Sequence, residues 1–387
     1  MSGIEFNAGQ LEGFDKVAKW FNGGRARTPV FFLSGEAGTG KTTFAKGAVS
    51  NLDLRSYNVV YIAPTGKAAS RLRQKGCDGA KTLHQFVYNV RGEDEDGEPI
   101  FVEKGALEER PLLVVMDEAS MVGSYDMGAV TRHGIPVLAL GDLGQLQPVK
   151  APPSLTPDNV NHELTEPMRF RNADGSLAEE SNIVRGARFI RKGHRIPLRE
   201  YEDVRVRAGN TPLAQMIEHA GENAQILCSY NDTRVEVNNR VRAELGFTGE
   251  QPNVGEKVMC WFNQHTYNFM NGEQGIVLGY EEEVPESEIK DNDPDELIMM
   301  RIRSLTDGKI RRVKYNPLSF SRDPDTQKDA LKAVGGFQFG YGCTVHKSQG
   351  SEWDHVLLIE ENMGDYSKMQ YTGWTRAIQR LTVYRRR

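Results

Sequence analysis

Absences narrow the 387-residue chain first. It has four cysteines, Cys77, Cys228, Cys260 and Cys343, and no two stand at metal-ligand spacing. That scarcity argues against a zinc framework and a disulfide-stapled fold, and it suits a reducing compartment. No run approaches the ~20 apolar residues that a membrane helix needs, so no membrane partner is expected. The opening residues MSGIEFNAGQ lack the basic and apolar stretches of a signal peptide, and a cytoplasmic location is the expectation. Neither an internal repeat nor a long low-complexity tract is visible.

Positive charge is short as well: the net charge is −5, an unpromising balance for binding a polyanion. Its distribution reverses the impression. Residues 281–296 (EEEVPESEIKDNDPDE) carry nine acids and one lysine, and without them the rest of the chain is +3. The run Glu93 to Glu98 holds five more acids, and setting it aside leaves +8. Two short acidic segments, most simply solvated loops, therefore hide a basic remainder with room for a groove.

What is present reads as globular α/β protein, with 39% hydrophobic and 26% charged residues over a length that suits two to four compact units. Residues 29–150 alternate helical stretches with the apolar runs PVFFLS (29–34), NVVYIAP (58–64), PLLVVMD (111–117) and IPVLALGD (135–142). Such runs are expected of parallel strands covered on both faces. Residues 166–193 read as helical and as closing a first lobe of residues 1–195. A second α/β pattern occupies 196–250 and 335–387, with AQILCSY (224–230), HVLLIEE (355–361), a helix around Gln370–Gln379 and LTVY (381–384). Between its halves, residues 251–334 are β-rich, and within the first lobe residues 87–107 suggest a β-hairpin around an acidic Asp-Gly turn.

The strongest motif is Gly35-Glu-Ala-Gly38-Thr39-Gly40-Lys41-Thr42, a complete G-x-x-x-x-G-K-T phosphate loop between a predicted strand and a predicted helix. Backbone N–H groups of Gly38 to Lys41 would cradle phosphates at the positive helix end. Lys41 would neutralise the β- and γ-phosphates, and the Thr42 hydroxyl would ligate Mg²⁺, with Thr43 following in the motif. The run 111–116 ends in Asp117-Glu118: Asp117 suits the Mg²⁺-holding carboxylate, and Glu118 the group that orients or deprotonates water. Without the phosphate loop that pair would read as a helix cap. Gly141-Asp142 closes the next strand, and Gln145 beyond it could sense the γ-phosphate.

The ordered series GEAGTGKTT (35–43), APTGKAASRL (63–72), TLHQF (82–86), DEASMV (117–122), GDLGQLQPV (141–149), EPMRF (166–170), YGCTVHKSQGSEWD (341–354) and YTGWTRA (371–377) is similar to the motifs of superfamily 1 DNA helicases, in the RecD-like and phage Dda-like branch. The resemblance implies an α/β chain with two RecA-like P-loop lobes and one ATP between them. It also implies a β-hairpin pin at 87–107 and an SH3-like β-barrel insertion at 251–334. By motif position it assigns Arg169 and Arg376 to the γ-phosphate, Gly350 and Glu352 to nucleotide binding, and Gln10 to the adenine. A capping role for Gln10 is the competing reading. It assigns the DNA track to Pro64, Thr65, Lys67, Thr82 and His84, and to Thr344, His346, Lys347 and Ser348. These are side chains suited to phosphates and sugars rather than base edges. Phe101 would sit at the tip or flank of the pin. Among the aromatic residues Phe86, Tyr88, Trp261, Phe262, Tyr267 and Phe269, exposed members would stack on bases, whereas core packing is the plainer alternative. The chain departs from the family pattern at Gly373-Trp374, where the family more often has Ala-Leu.

The expected activity is that of an ATP- and Mg²⁺-dependent 5′-to-3′ DNA helicase, monomeric, acting on single-stranded DNA and single-strand/duplex junctions beside replication or recombination proteins. A translocase acting on RNA or displacing proteins, and a nucleotide switch without turnover, are the competing classes.

Overall fold

A strand that is apolar along its whole length needs cover on both faces, and the central strands of the first sheet have it. In chain order the elements are α1 (Ala8–Lys19), β1 (Val30–Gly35), α2 (Lys41–Asn51), β2 (Val59–Ala63), α3 (Gly66–Gln74) and β3 (Lys81–Thr82). They continue with α4 (Leu83–Val87), β4 (Tyr88–Glu93), β5 (Pro99–Glu103), β6 (Leu113–Met116), α5 (Ser124–Thr131), β7 (Val137–Gly141) and β8 (Val160–Leu164). Phe31, Leu33, Val115, Leu138 and Leu140 pack with Phe14, Phe44 and Val49 of α1 and α2. The alternate residues Phe32, Val114, Met116, Val137 and Ala139 pack on the opposite side with Phe86, Met127 and Val130 of α4 and α5. The two-residue period of a strand thus feeds two cores from one apolar run.

The computed structural model describes the chain apart from residues 1–5, 25–27, 94–98, 109, 149–150, 167–180, 265–266, 282–296, 322, 335, 363–365 and 387. The chain divides into two compact units, one of residues 1–91 and 101–181, the other of 92–100 and 182–387. The first sheet has the order β3-β2-β6-β7-β1-β8, and its pairings are parallel. β8 is absent from the sequence reading because its run VNHEL buries only alternate residues, as a sheet-edge strand does. β4 and β5 pair as a separate two-stranded sheet.

The second unit contains α6 (Asn182–Arg191), β9 (Arg199–Glu200), β10 (Val204–Ala208), α7 (Leu213–Glu218), β11 (Ala224–Cys228) and α8 (Asn231–Glu244). Then come β12 (Lys257–Cys260), β13 (Gln274–Glu281), β14 (Ile298–Ser304), β15 (Ile310–Tyr315), α9 (Pro324–Val334) and β16 (Phe337–Phe339). β17 (Gly342–Thr344), β18 (Trp353–Glu360), α10 (Tyr366–Trp374) and β19 (Ala377–Arg385) complete it. Its α/β sheet runs β17-β11-β18-β19-β10-β9, parallel except for β9. The inserted segment forms an antiparallel sheet, β15-β14-β13-β12-β16.

Three expectations are corrected. The helix placed around Gln370–Gln379 ends at Trp374, and Ala377 already pairs with Trp353 in the sheet. The first lobe does not extend to 195, because α6 belongs to the second unit. There the Trp374 indole donates to the Ile183 carbonyl at 2.6 Å, and it lies so close to Gly186 that a Cβ would meet it at 2.3 Å. The insertion does not stop at 334, since Phe337–Phe339 pairs with β12. The unusual Trp374 thus has a partner that fits it, a glycine on α6.

Buried polar contacts join the inserted sheet to the α/β sheet of the same unit. The Arg242 guanidinium on α8 donates to both Glu256 carboxylate oxygens, with side chains 7% and 0% exposed, and it stacks 3.8 Å from the Phe339 ring centroid. Lys257 Nζ donates to the carbonyls of Gly221 and Ala224. Gln274 of β13 accepts from the Trp353 indole and donates to Gln225 of β11. Removing one partner of a buried ion pair strands the other charge. Arg242→Met should therefore cost about 3–5 kcal/mol in urea unfolding of the second unit. A loss below about 1 kcal/mol would show that water reaches Glu256.

Candidate nucleotide site and nucleic-acid track

The phosphate loop forms where β1 ends. Gly38 and Gly40 have φ of 83° and 78°, a left-handed backbone that costs other L-residues about 1–2 kcal/mol. Gly40 caps α2 without a side-chain hydrogen bond, so the first-turn N–H groups of Lys41, Thr42 and Thr43 have no cap from that residue. An uncapped helix start of this kind favours an anion. The Thr39 hydroxyl donates to the Glu36 carbonyl at 2.8 Å, and Lys41 Nζ donates to the carbonyls of Gly35 and Glu36 at 2.8 and 3.0 Å. The ammonium is thereby held on the loop itself.

Parallel pairing brings the acidic pair to the same edge. Asp117 follows β6, and its Oδ2 accepts from the Thr42 hydroxyl at 3.2 Å. Its Oδ1 accepts from the Glu118 N–H at 2.9 Å. Glu118 has φ of 53°, uncommon for a residue with a Cβ, and such strain gathers at functional sites. After β7, the fully buried Asp142 accepts from the Gly144 N–H at 2.9 Å and shapes the turn that carries Gln145. Gln145 is buried, and its Oε1 lacks a protein partner. One end of the Gln10 amide takes the capping role and the other is left open. Its Oε1 accepts from the Asn7 N–H in a capping box, while its buried Nε2 has no protein partner. Arg169 lies outside the described residues.

The other residues expected in the first unit gather at the β3 side of the same edge, where Ala63 pairs with Thr82. Pro64 and Thr65 follow β2, with Lys67 in the first turn of α3. The Thr65 hydroxyl caps α3 by accepting from the Ala68 N–H, and the Thr82 hydroxyl caps α4 by accepting from the Gln85 N–H. The His84 ring lies 5.0 Å from that of Phe101 and 5.3 Å from that of Tyr88. Phe101, 46% exposed, stands on the flank of the hairpin in β5. Phe86 and Phe269 are core residues, as the plainer reading of those aromatics had it.

In the second unit β17 leads into Thr344–Gly350. The Lys347 N–H donates to the Thr344 hydroxyl, and the buried Ser348 hydroxyl donates to the Val345 carbonyl. His346 is half-buried, and burial lowers its pKa below the ordinary imidazole value. Gly350 has φ of 73°. The guanidinium of Arg376, 3% exposed, donates to the carbonyls of Thr372 and Ser351 and to the Thr375 hydroxyl. Arg376 is thus bound to the segment between Gly350 and Glu352. The sequence reading names Trp261 only as an aromatic that would stack on bases or pack in the core, and it missed both the Trp261 contact with Lys347 and Arg234, which lies over the same indole. Long-range stacking leaves no spacing signal in one chain.

Residues 7–201 match the family model described as an AAA domain, and residues 339–384 that of the UvrD-like helicase C-terminal domain. The ATP-dependent RecD2 DNA helicase of Deinococcus radiodurans is 27% identical over 361 residues, covering 90% of this chain and 46% of the relative. A solved structure of Pif1 helicases concerned with unwinding at forked duplex DNA superposes with a TM-score of 0.58 at 17% identity, over 98% of this chain and 92% of that one. Bacteroides Pif1 with ADP-AlF3 and single-stranded DNA gives a TM-score of 0.55 at 16% identity, over 98% and 92%. These likenesses show a mixed α/β fold whose parallel sheets match RecA-like helicase lobes. The chain belongs to the RecD-like family of superfamily 1 helicases. It spans less than half the length of the curated relatives it first matches, 46%, 32% and 30%.

Gly35→Ala tests the loop geometry, because its Cβ would meet Thr39 Oγ1 at 2.7 Å and the Leu164 backbone and side chain at 3.2 Å. Binding of a fluorescent ATP analogue should weaken at least about tenfold while the circular dichroism spectrum is unchanged. Unaltered binding would mean that the loop tolerates the displacement of Thr39.

Proposed function

We propose that this chain is an ATP-hydrolysing motor that moves on single-stranded DNA, 5′ to 3′, and separates duplex strands at a junction. The observation that carries the reading is the Thr42–Asp117 hydrogen bond beside the loop that holds Lys41, at one end of a parallel sheet. Hydroxyl, carboxylate and ammonium are the groups that nucleoside triphosphate chemistry requires there.

Gly35, Gly38, Thr39, Gly40 and Thr43 would bind phosphates through the loop, with Gln10 at the base, where its unpartnered amide suits a ring acceptor. The Thr42 hydroxyl and the Asp117 carboxylate would hold Mg²⁺, which would supply charge neutralisation at the phosphates. Both residues offer hard oxygen donors, and two protein ligands suit an ion that keeps several waters. Glu118 accepts a proton from, or orients, the attacking water, and Gln145 registers the γ-phosphate. Arg169 and Arg376 stabilise developing charge on the transferred group, with Gly350 and Glu352 completing nucleotide contact. Coupling of that contact to closure of two lobes alternates the grip on the strand.

Pro64, Thr65, Lys67, Thr82, His84, Thr344, His346, Lys347 and Ser348 form the track in this reading. The 87–107 hairpin acts as the separating pin with Phe101 on its flank, and the insertion that carries β12 to β16 is an SH3-like brace. A monomer in the cytoplasm suffices, with replication or recombination proteins as its associates.

The test compares unwinding of two duplexes that differ only in carrying a 5′ or a 3′ single-stranded tail. Opening of the 5′-tailed duplex alone is expected, and Lys41→Ala should lower strand-stimulated ATP turnover at least about 100-fold. Opening of the 3′-tailed duplex alone would reverse the polarity. Full turnover by Lys41→Ala would sink the ATP site, and stimulation by RNA alone would move the substrate class.

A further inference from the structure

Lys347 stands in the segment that the proposed function places on the strand, yet its ammonium is occupied within the protein. Nζ donates to the Trp261 carbonyl at 2.9 Å and lies 4.2 Å from the centroid of the Trp261 ring. Trp261 comes from the inserted sheet, directly after β12. A second cation shares that indole: the Arg234 guanidinium on α8 lies 4.7 Å from the ring centroid. Arg234 is itself fixed, donating to Gln338 Oε1 at 2.5 Å and to Asn231 Oδ1 at 3.3 Å. One half-buried indole therefore orders two cations from two other elements.

A buried cation is ordinarily paired with a carboxylate. Among the described residues, neither Lys347 nor Arg234 has an ion-pair partner, and their surroundings contribute thiols and each other rather than acids. An indole face and a carbonyl hold an ammonium in place without cancelling its charge. The arrangement leaves uncompensated positive charge on the segment Thr344–Ser348, next to two hydroxyls.

We propose that Trp261 is the positioning residue for Lys347, holding its ammonium, with Arg234 as a second cation, for one backbone phosphate of the bound strand. The proposal rests on the reading of this segment as part of a single-strand track. Trp261 acts through Lys347, so it serves affinity without itself reading a base. The inserted sheet thereby contributes to the grip on the strand through Lys347.

Burial is the main cause that brings the Lys347 ammonium down to about 8, with the nearby Arg234 charge acting in the same direction and the Cys260 and Cys343 thiols opposing it. The phosphate contact is therefore present below about pH 8 and fades as the pH rises through that value. An exposed lysine would hold its charge to about pH 10.4.

The experiment measures affinity for a fluorescent oligodeoxythymidine strand by anisotropy, across pH 7 to 9.5 and across a salt series, with the full chain. Wild type should weaken about tenfold over that pH range. Lys347→Met should lose this pH step and reduce the log–log salt slope by about 0.7, the value of one phosphate contact on a single strand. Trp261→Leu should bind more weakly at pH 7.5 and shift the step upward, because water then reaches the ammonium, while Trp261→Phe should retain the wild-type midpoint. Thermal melts of each variant report folding separately. If Trp261→Leu changes the melting temperature but leaves the pH midpoint in place, Trp261 is only a packing residue and the proposal fails. An unchanged salt slope in Lys347→Met also overturns it, making Lys347 an internal tether. Failure of the wild-type protein to bind the strand at any pH would instead overturn the track reading.

Discussion

Parallel pairing of β2, β6, β7 and β1 is the constraint on which the nucleotide site depends. In a parallel sheet every carboxyl end emerges at one edge, so loops far apart in sequence become neighbours without any contact made for that purpose. Gly35, Asp117 and Asp142 are such ends, and the hydrogen bond between Thr42 and Asp117 closes 75 residues of chain at that edge. The strands must be covered on both faces to pair in this way, which is why Phe31 and Phe32 serve different cores. The chemistry of the edge and the apolar composition of the strand interiors are two sides of one requirement.

The second unit meets a different demand, that of inserting a separate sheet between two strands without loosening them. Apolar packing alone would permit sliding. Directional contacts do not: Arg242 with Glu256, Lys257 with two carbonyls, and the Trp353–Gln274–Gln225 chain each fix one position. An unsatisfied buried polar group costs free energy, so each such contact favours one register as well as contributing an energy. Lys257 illustrates the cost: a lysine 1% exposed is tolerated because two carbonyls wait for it.

Much of this was legible in the sequence, for identifiable reasons. The central strands betray themselves because double-sided burial makes them uniformly apolar, and the phosphate loop because its glycines are demanded by backbone geometry. β8 and β10 escape because edge or half-exposed strands alternate: His162 and Leu164 are buried while Asn161 and Glu163 face outward. The boundary between helix and strand near Ala377 is lost because aliphatic residues suit both. At the candidate sites, Thr42 and Asp117 were readable from motif spacing. The split state of Gln10 was not, since a capping box at Oε1 and an unpartnered Nε2 both need coordinates to be seen. The Trp261–Lys347 contact spans 86 residues, and no local pattern announces it.

The fit of Trp374 against Gly186 carries a consequence for how this protein can change. A methyl group at 186 would collide with the indole at 2.3 Å, so substitution there is blocked while the tryptophan remains. Shrinking the tryptophan first opens a void and forfeits its bond to the Ile183 carbonyl, after which a larger residue at 186 becomes an improvement. The order of the two steps therefore decides whether the path is open, in either direction: a glycine at 186 with a small residue at 374 is passable, and a side chain at 186 beside the indole is not. The pair acts as an order-dependent gate in sequence space, and lineages on either side of it would be expected to differ at both positions together.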